Sequence, residues 1–333
     1  MVQRPPTFSQ TVPIPPPWHQ IIVDMEYRPL GSTGLQVSKL ALGGAQLGGG
    51  YGEITYDNVV RIVRGALDQG INLIDTSPFY GVTRSETVLG QALAGVPRDR
   101  YIMATKCGRY GDADFDFSAD RLTRSVDESL LRLGIDYIDV FQIHDIEFGS
   151  LEQIVNEALP AVAKIKQSGK VGYIGVTGLP LKIFDYVIPR FSIDTIISYT
   201  HFSLIDTTLT RLLPLAAANG IGVMNASPVV LGMLSEKGPQ PWHPAPAKLK
   251  AFVAEVVAKW SAKGVSLAKL SLQYSMANPQ IASTVSGMAT MAELENSIAA
   301  ANEPLDPELL AAVLADFAPI KDSTWPSGHP ENN

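Results

Sequence analysis

Beyond residue 24 the chain alternates between short, nearly unbroken apolar runs and longer stretches whose apolar residues return every three or four positions. The short runs lie at Leu40–Gly43, Asn72–Asp75, Tyr101–Lys106, Tyr137–His144, Gly172–Thr177, Thr195–Tyr199, Gly222–Ala226 and Ile281–Ser286. Such runs predict strands buried on both faces. The stretches between them predict helices at Tyr56–Gln69, Ser118–Leu133, Leu151–Gln167, Leu181–Arg190, Thr207–Asn219, Ala247–Lys263, Ser266–Ala277, Met291–Ala301 and Pro307–Phe317. Ser118 has the place of an N-cap, and Ser168-Gly169 that of a helix stop. Ahead of the first run, Tyr27–Leu30 and Leu35–Ser38 flank Gly31-Ser32-Thr33-Gly34, the pattern of a β-hairpin.

Strands alternating with helices imply a parallel sheet covered by helices. Closed on itself, a sheet of eight is a (β/α)8 TIM barrel; left open, it is a doubly wound sheet. The glycine-rich Gly43-Gly44-Ala45-Gln46-Leu47-Gly48-Gly49-Gly50 does not have GxGxxG spacing and no helix follows it directly, which favours the barrel. The reading is therefore an α/β chain with one barrel domain over residues 25–333 and an N-terminal β-hairpin. Residues 1–24 contain Pro5, Pro6, Pro13, Pro15, Pro16 and Pro17 and no compact apolar stretch of a secretory signal. They predict an extended, disordered tail.

Composition narrows the class. Net charge is -7 and Lys and Arg are scattered, which argues against nucleic-acid binding. Apolar stretches such as Leu212–Met224 are too short and interrupted to span a bilayer. The single cysteine, Cys107, excludes an intrachain disulfide and fits a reducing, cytoplasmic setting. His19, His144, His201, His243 and His329 show no metal-ligand spacing. The expectation is a chain acting on a small molecule, with no nucleic-acid, membrane or metal partner.

Active groups in a barrel sit at the C-terminal ends of its strands. Asp75, Lys106 and His144 end three predicted strands, and Tyr80 lies in the loop after the first of these. Each has an ordinary reading alone: a turn cap, loop packing, an exposed lysine, a structural histidine. Together they converge on one rim and have a chemical logic. A phenol with pKa near 10 is a poor acid–base group at neutral pH, and a nearby ammonium lowers that value. Making it a hundred to a thousand times more acidic takes roughly 3–4 kcal/mol, which a lysine within about 4–6 Å can supply. Asp75 would hold Lys106, His144 would bond the reacting oxygen, and Tyr80 would exchange a proton with it as hydride moves.

The segments Ile74-Asp75-Thr76-Ser77-Pro78-Phe79-Tyr80-Gly81, Thr105-Lys106 and His144-Asp145 resemble the aldo-keto reductase superfamily, and the resemblance extends from about Tyr27 to Pro326. It implies a catalytic tetrad of Asp75, Tyr80, Lys106 and His144 and a nicotinamide dinucleotide lying across the barrel mouth. It also implies cofactor contacts from Gly44 and Ala45 and from Thr177. Gly178 departs from the asparagine usual beside that hydroxyl. Tyr199 or Phe202 is implied as the ring stacked on nicotinamide. Ser227, Pro228, Val229, Gly232 and Leu234 correspond to the pyrophosphate-covering segment, and Gly287, Ala289, Glu293 and Asn296 to the adenosine loop. Relatives that prefer NADP carry a cation where Ala289 stands. No Lys or Arg occurs between Lys269 and Lys321, and Glu293 and Glu295 would repel a 2′-phosphate, so the expected cofactor is NAD.

Loop segments narrow the resemblance to members that oxidise the C1 hydroxyl of aldoses such as L-galactose, L-fucose or D-arabinose to a lactone. Asp145, Glu147, Arg109, His201, Trp242 and Trp325 offer hydrogen-bonding groups and apolar ring faces to a sugar. The resemblance also implies a monomer. The competing readings are an NADPH-dependent aldehyde or carbonyl reductase, a non-catalytic barrel serving as a binding subunit and a metalloenzyme barrel. The first predicts a cation near the ribose; the second predicts a damaged tetrad, whereas all four residues are present. Cys107, next to Lys106, is expected to point away from it.

Overall fold

The computed structural model describes residues 25–333; the expected disordered tail, residues 1–24, lies outside the described residues. Two short strands, β1 (Tyr27–Pro29) and β2 (Gln36–Ser38), form an antiparallel hairpin. Eight parallel strands follow: β3 (Leu40–Gly43), β4 (Leu73–Asp75), β5 (Ile102–Cys107), β6 (Ile138–Ile143), β7 (Val171–Gly178), β8 (Thr195–Tyr199), β9 (Gly222–Ala226) and β10 (Ser283–Gly287). They pair in chain order, and β10 pairs with both β9 and β3, so the sheet closes into the predicted barrel.

Strand alternation sorts the side chains. Ala41, Leu73, Ala104, Val140, Ile197, Met224 and Val285 form one buried cluster inside the barrel. Their neighbours Leu42, Ile74, Phe141, Val176 and Ile196 pack outward among the helices. Leu30 and Val37 of the hairpin region join the interior cluster, and Ser32 N–H donates to Gly220 O at 2.8 Å. Gly31, at φ +56, lies so close to Gly220 and Gly222 that any Cβ there would strike their backbone. The hairpin therefore plugs the N-terminal end and leaves the C-terminal end as the mouth.

Three differences from the sequence reading have physical causes. A helix at Arg84–Leu93 was not expected. It lacks a side-chain cap, since Thr83 is left-handed at φ 71, and it carries a glycine in its interior. That glycine, Gly90, is where the helix backbone meets Arg132 and Leu133 too closely for a Cβ. The stretch Thr207–Asn219 splits into a 3-10 turn at Thr208–Arg211 and a helix at Leu213–Ala218, because Pro214 cannot continue the ladder. Leu151–Gln167 contains a π turn at Ile154–Ala158 just ahead of Pro160, where an i→i+4 donor is missing. Among the described residues, no helix is long and apolar enough to cross a membrane.

Candidate active site

Asp75 closes β4, Lys106 lies one residue from the end of β5, and His144 follows β6 directly. The loop after β4 is held down by glycine: Gly81, at φ +63, sits against the Gly48 backbone too closely for a side chain, and a Cβ on Gly48 would come within 2.7 Å of the Tyr80 carbonyl. The glycine-rich loop after β3 is thus a seat for the Tyr80 loop.

Lys106 is 2 % exposed, and its ammonium has a partner for each of its three protons: Asp75 Oδ1 at 2.5 Å, Thr76 O at 2.8 Å and Tyr80 Oη at 3.2 Å. Burial disfavours the ammonium, but Asp75 and the Tyr80 oxygen reverse this and hold its pKa above the ordinary value. The Tyr80 phenol behaves differently from the sequence expectation. Burial raises its pKa, the attraction of Lys106 lowers it, and the charges of Asp75 and Asp145 raise it again, so the net direction is upward. The main reason is burial of the phenol; in addition Lys106 is ion-paired to Asp75, so its attraction is partly offset.

His144 stands edge-on to Tyr80, with ring centroids 5.6 Å apart. Its Nδ1 lies 2.9 Å from Ser77 Oγ and its Nε2 lies 3.6 Å from Asp145 Oδ2. Burial first, then the Lys106 and Arg109 charges, push its pKa down to about 3 against the opposing pull of Asp145, so the ring is neutral.

Behind this group lies a second charged pair. Arg109 Nη1 donates to Asp145 Oδ2 at 2.5 Å, and its guanidinium lies 3.7 Å from the centre of the Phe79 ring. Burial would raise the Asp145 carboxyl, but the Arg109 guanidinium and the Lys106 ammonium help bring it below the ordinary value. Asp145 is left-handed at φ 50, and its N–H donates to Thr177 Oγ1 at 3.0 Å. Thr177 therefore braces the turn that carries His144. Cys107 is fully buried in the outer core, as its position next to Lys106 predicts; burial first, with a lesser opposing effect of Arg121, pushes its thiol pKa up, which makes it unreactive.

The departure at Gly178 is explained by Glu147. This side chain is fully buried, and a Cβ on Gly178 would collide with its Oε2. Its Oε1 accepts from Ser327 Oγ at 3.0 Å, Leu179 N–H at 3.1 Å and the Tyr199 hydroxyl at 3.4 Å, whereas Oε2 has no partner among the described residues. Burial, then the Asp145 charge, push the Glu147 carboxyl up to about 8 from its ordinary 4.5. Between those values the folded chain holds a proton that the unfolded chain releases, so this group's contribution to stability falls as pH rises and levels off above about 8. Glu147→Gln is accordingly expected to show a smaller loss of Tm than the parent between about pH 5 and about pH 8.5. Parallel Tm profiles for the two proteins would rule out a raised carboxyl.

The remaining sequence candidates divide. Tyr199 ends β8 on the inward register and stays partly exposed at the mouth. Phe202 does not reach the mouth: it is stacked on Tyr274 at 5.2 Å in the outer core, which corrects its place as a stacking candidate. Trp325 is likewise buried, edge-on to His243 at 5.0 Å, so its ring faces are spent on packing rather than offered to a sugar. His201 is tied through Nδ1 to Asp206 at 2.8 Å and Thr208 at 2.9 Å, within its own turn. Trp242 is half exposed and meets Tyr51 edge-on at 5.3 Å, joining the loops after β9 and β3.

The segment after β9 is strained. Ser227, Val230 and Leu231 have φ of 54, 51 and 50, and Gly232 follows at φ 96. A β-branched residue in that region is an outlier, and such strain clusters where backbone is shaped for a ligand. Ser227, Val229 and Gly232 remain partly exposed, Pro228 O accepts from Ser271 Oγ at 2.6 Å, and Leu234 is a core residue whose side chain cannot face a ligand. On the other side of the mouth, Gly44 N–H donates to Asp75 O at 2.7 Å with Ala45 beside it, and Gly287 leaves room for the Gln46 amide. After β10, Glu293 reaches back to the Ala289 N–H at 2.8 Å, and Lys237 from the loop after β9 lies 3.3 Å from the same carboxylate. Asn296 is exposed one turn further on.

Comparison with known proteins fits this geometry. The aldo/keto reductase family model matches residues 39–315. The chain is 48% identical over 317 residues to L-galactose dehydrogenase of Arabidopsis thaliana, covering 92% of this chain and 99% of that one. It is 31% identical to D-arabinose 1-dehydrogenase of Saccharomyces cerevisiae, over 78% of this chain and 81% of that one. Among solved structures, aldo-keto reductase AKR11C1 from Bacillus halodurans superposes with a TM-score of 0.74 at 24% identity, over 90% of this chain and 98% of that one, and shares the fold.

Proposed function

This chain belongs to the aldo/keto reductase family, and from that premise we propose that it is an NAD-dependent aldose 1-dehydrogenase that oxidises L-galactose, with L-fucose and D-arabinose as alternative substrates, to the lactone. The observation that carries the reading is the Lys106 ammonium, held 2.5 Å from Asp75 and 3.2 Å from the Tyr80 hydroxyl beside a neutral His144. That group can move one proton to or from an oxygen placed between Tyr80 and His144.

The residues around the mouth fit a dinucleotide. Ala45 is small and partly exposed, and the left-handed turns at Ser227–Gly232 shape a backbone cradle suited to a pyrophosphate. Tyr199 is the ring that supports a nicotinamide face. When bound, the oxidised nicotinamide supplies the hydride acceptor. The chain's own work is to orient the C1 hydroxyl with His144 and to take its proton through Tyr80, while Lys106 stabilises the phenolate and Asp75 fixes Lys106. Asp145, Arg109 and Trp242 stand where they can wall the sugar.

The preference for NAD rests on charge. Glu293 stands at the adenosine loop, and the approaching Lys237 is paired with it rather than free for a phosphate. A second reading, an NADPH-dependent aldehyde or carbonyl reductase, is favoured by that same lysine and by a phenol that burial keeps protonated as an acid. Measuring kcat/KM for L-galactose, L-fucose, D-arabinose and D-galactose with NAD+ and with NADP+ separates them. L-Galactose with NAD+ is expected to rank first, at least about tenfold above NADP+, corresponding to roughly 1.4 kcal/mol of phosphate repulsion. A preference for NADP+ overturns the cofactor assignment, and no turnover of any aldose overturns the substrate assignment.

A further inference from the structure

Ser77 lies between Asp75 and Tyr80 in the chain but outside the group of four, and its side chain is fully buried. Its Oγ accepts from Phe79 N–H at 3.1 Å and lies 2.9 Å from His144 Nδ1. A hydroxyl has one proton to give. If Nδ1 carried the ring's proton, the Ser77 proton would be left buried beside two donors with no acceptor, the costlier arrangement. The hydroxyl therefore donates to Nδ1. A neutral imidazole has a single N–H, so the proton must sit on Nε2. The other side of the ring agrees. Nε2 faces Asp145 Oδ2 at 3.6 Å, where a lone pair would meet a carboxylate oxygen while an N–H is attracted. That separation exceeds a hydrogen bond, so the Nε2–H remains available to another acceptor.

We propose that Ser77 is a positioning residue: by donating to Nδ1 it holds His144 as the Nε2–H tautomer and so keeps a hydrogen-bond donor facing the mouth beside Tyr80. The donor would meet the reacting oxygen of the substrate, so the kinetic half of the inference rests on the dehydrogenase reading. The tautomer itself does not.

The test is 15N NMR of the full-length chain labelled at its histidines, without substrate, with the His144 signals identified by their loss in His144→Asn. The expected spectrum has an unprotonated Nδ1 and a protonated Nε2. Ser77→Ala is expected to move His144 toward the other tautomer or an average of the two, to lower kcat about tenfold, the scale of one hydrogen bond, and to leave KM for NAD+ unchanged. Ser77→Thr, which keeps the hydroxyl, is expected to restore both. A protonated Nδ1 in the parent protein overturns the proposal even if no Ser77 variant folds, and so does a Ser77→Ala protein with the parent spectrum or the parent kcat. If no aldose is turned over but the Nε2–H tautomer is found and lost in Ser77→Ala, the dehydrogenase reading fails and the tautomer assignment stands.

Discussion

Replacing Tyr80 with Phe is expected to lower kcat for aldose oxidation about 1,000-fold while leaving NAD+ affinity within about twofold of the parent, the scale of a lost proton-transfer group. The asymmetry follows from position. The Tyr80 hydroxyl touches Lys106 at 3.2 Å, and its ring lies edge-on to His144, so removing one oxygen takes away the proton carrier but not the ring. The pH dependence distinguishes this from a general loss of fit. Oxidation requires the phenol to lose its proton first. Burial holds its pKa upward, Lys106 lowers it, and Asp75 and Asp145 raise it again, with the net effect upward. Oxidative kcat in the parent protein is therefore expected to rise from about pH 7 to about pH 9, as a base with a raised pKa becomes available, and the residual rate of Tyr80→Phe is expected to lack that rise. Steady-state rates across this range and a fluorescence titration of NAD+ provide the two readouts. A variant that kept more than about a tenth of the parent kcat would remove Tyr80 as the proton carrier.

The barrel was legible because its strands are buried on both faces, and such strands leave a strong apolar signature. The same pattern puts Asp75, Lys106 and His144 at strand ends. The Arg84–Leu93 helix escaped because its cap is a left-handed turn and its interior glycine serves a contact with the distant Leu133 backbone, neither of which has a local signal. Side-chain direction in loops was the weaker part. Phe202 and Trp325 are aromatic residues near the expected mouth, but Tyr274 and His243 come from elsewhere in the chain to bury them. The sign of the Tyr80 shift is not legible in the sequence for a related reason. A lysine nearby lowers a phenol's pKa, but burial of the phenol itself, which only the fold shows, raises it more, and the Asp75 and Asp145 charges add to that. Gly178, read as a departure from pattern, became intelligible once Glu147 was seen filling the space its missing side chain leaves.

Lys106→Met is expected to cost about 3–5 kcal/mol of stability, the scale of a buried charge stripped of its partner. In the parent protein Asp75 is 3 % exposed, and among the described residues its ion pair with Lys106 is its one side-chain link: Oδ1 meets the ammonium at 2.5 Å and Oδ2 has no partner there. Methionine has nearly the length of lysine and fills the same space, so the loss comes from charge and hydrogen bonding rather than from a cavity. Asp75 must then be neutral in the folded state. Its folded pKa, already raised by burial against the pull of Lys106, rises further when that pull is removed. The sign follows: the folded variant binds a proton that the unfolded chain releases above its ordinary carboxyl pKa, so the deficit deepens as pH rises from about 4 toward neutrality. The second substitution isolates the pair. Asp75→Leu with Lys106→Met removes both charges, and a well-packed apolar pair can match a buried ion pair, so most of the lost stability is expected to return. Activity is not expected to return with it, since Tyr80 would still lack the ammonium. Urea unfolding of the two variants at about pH 5 and about pH 8 measures all three terms. A single variant that lost less than about 1 kcal/mol, or a double variant no more stable than the single, would show that Asp75 does not depend on Lys106 for its burial.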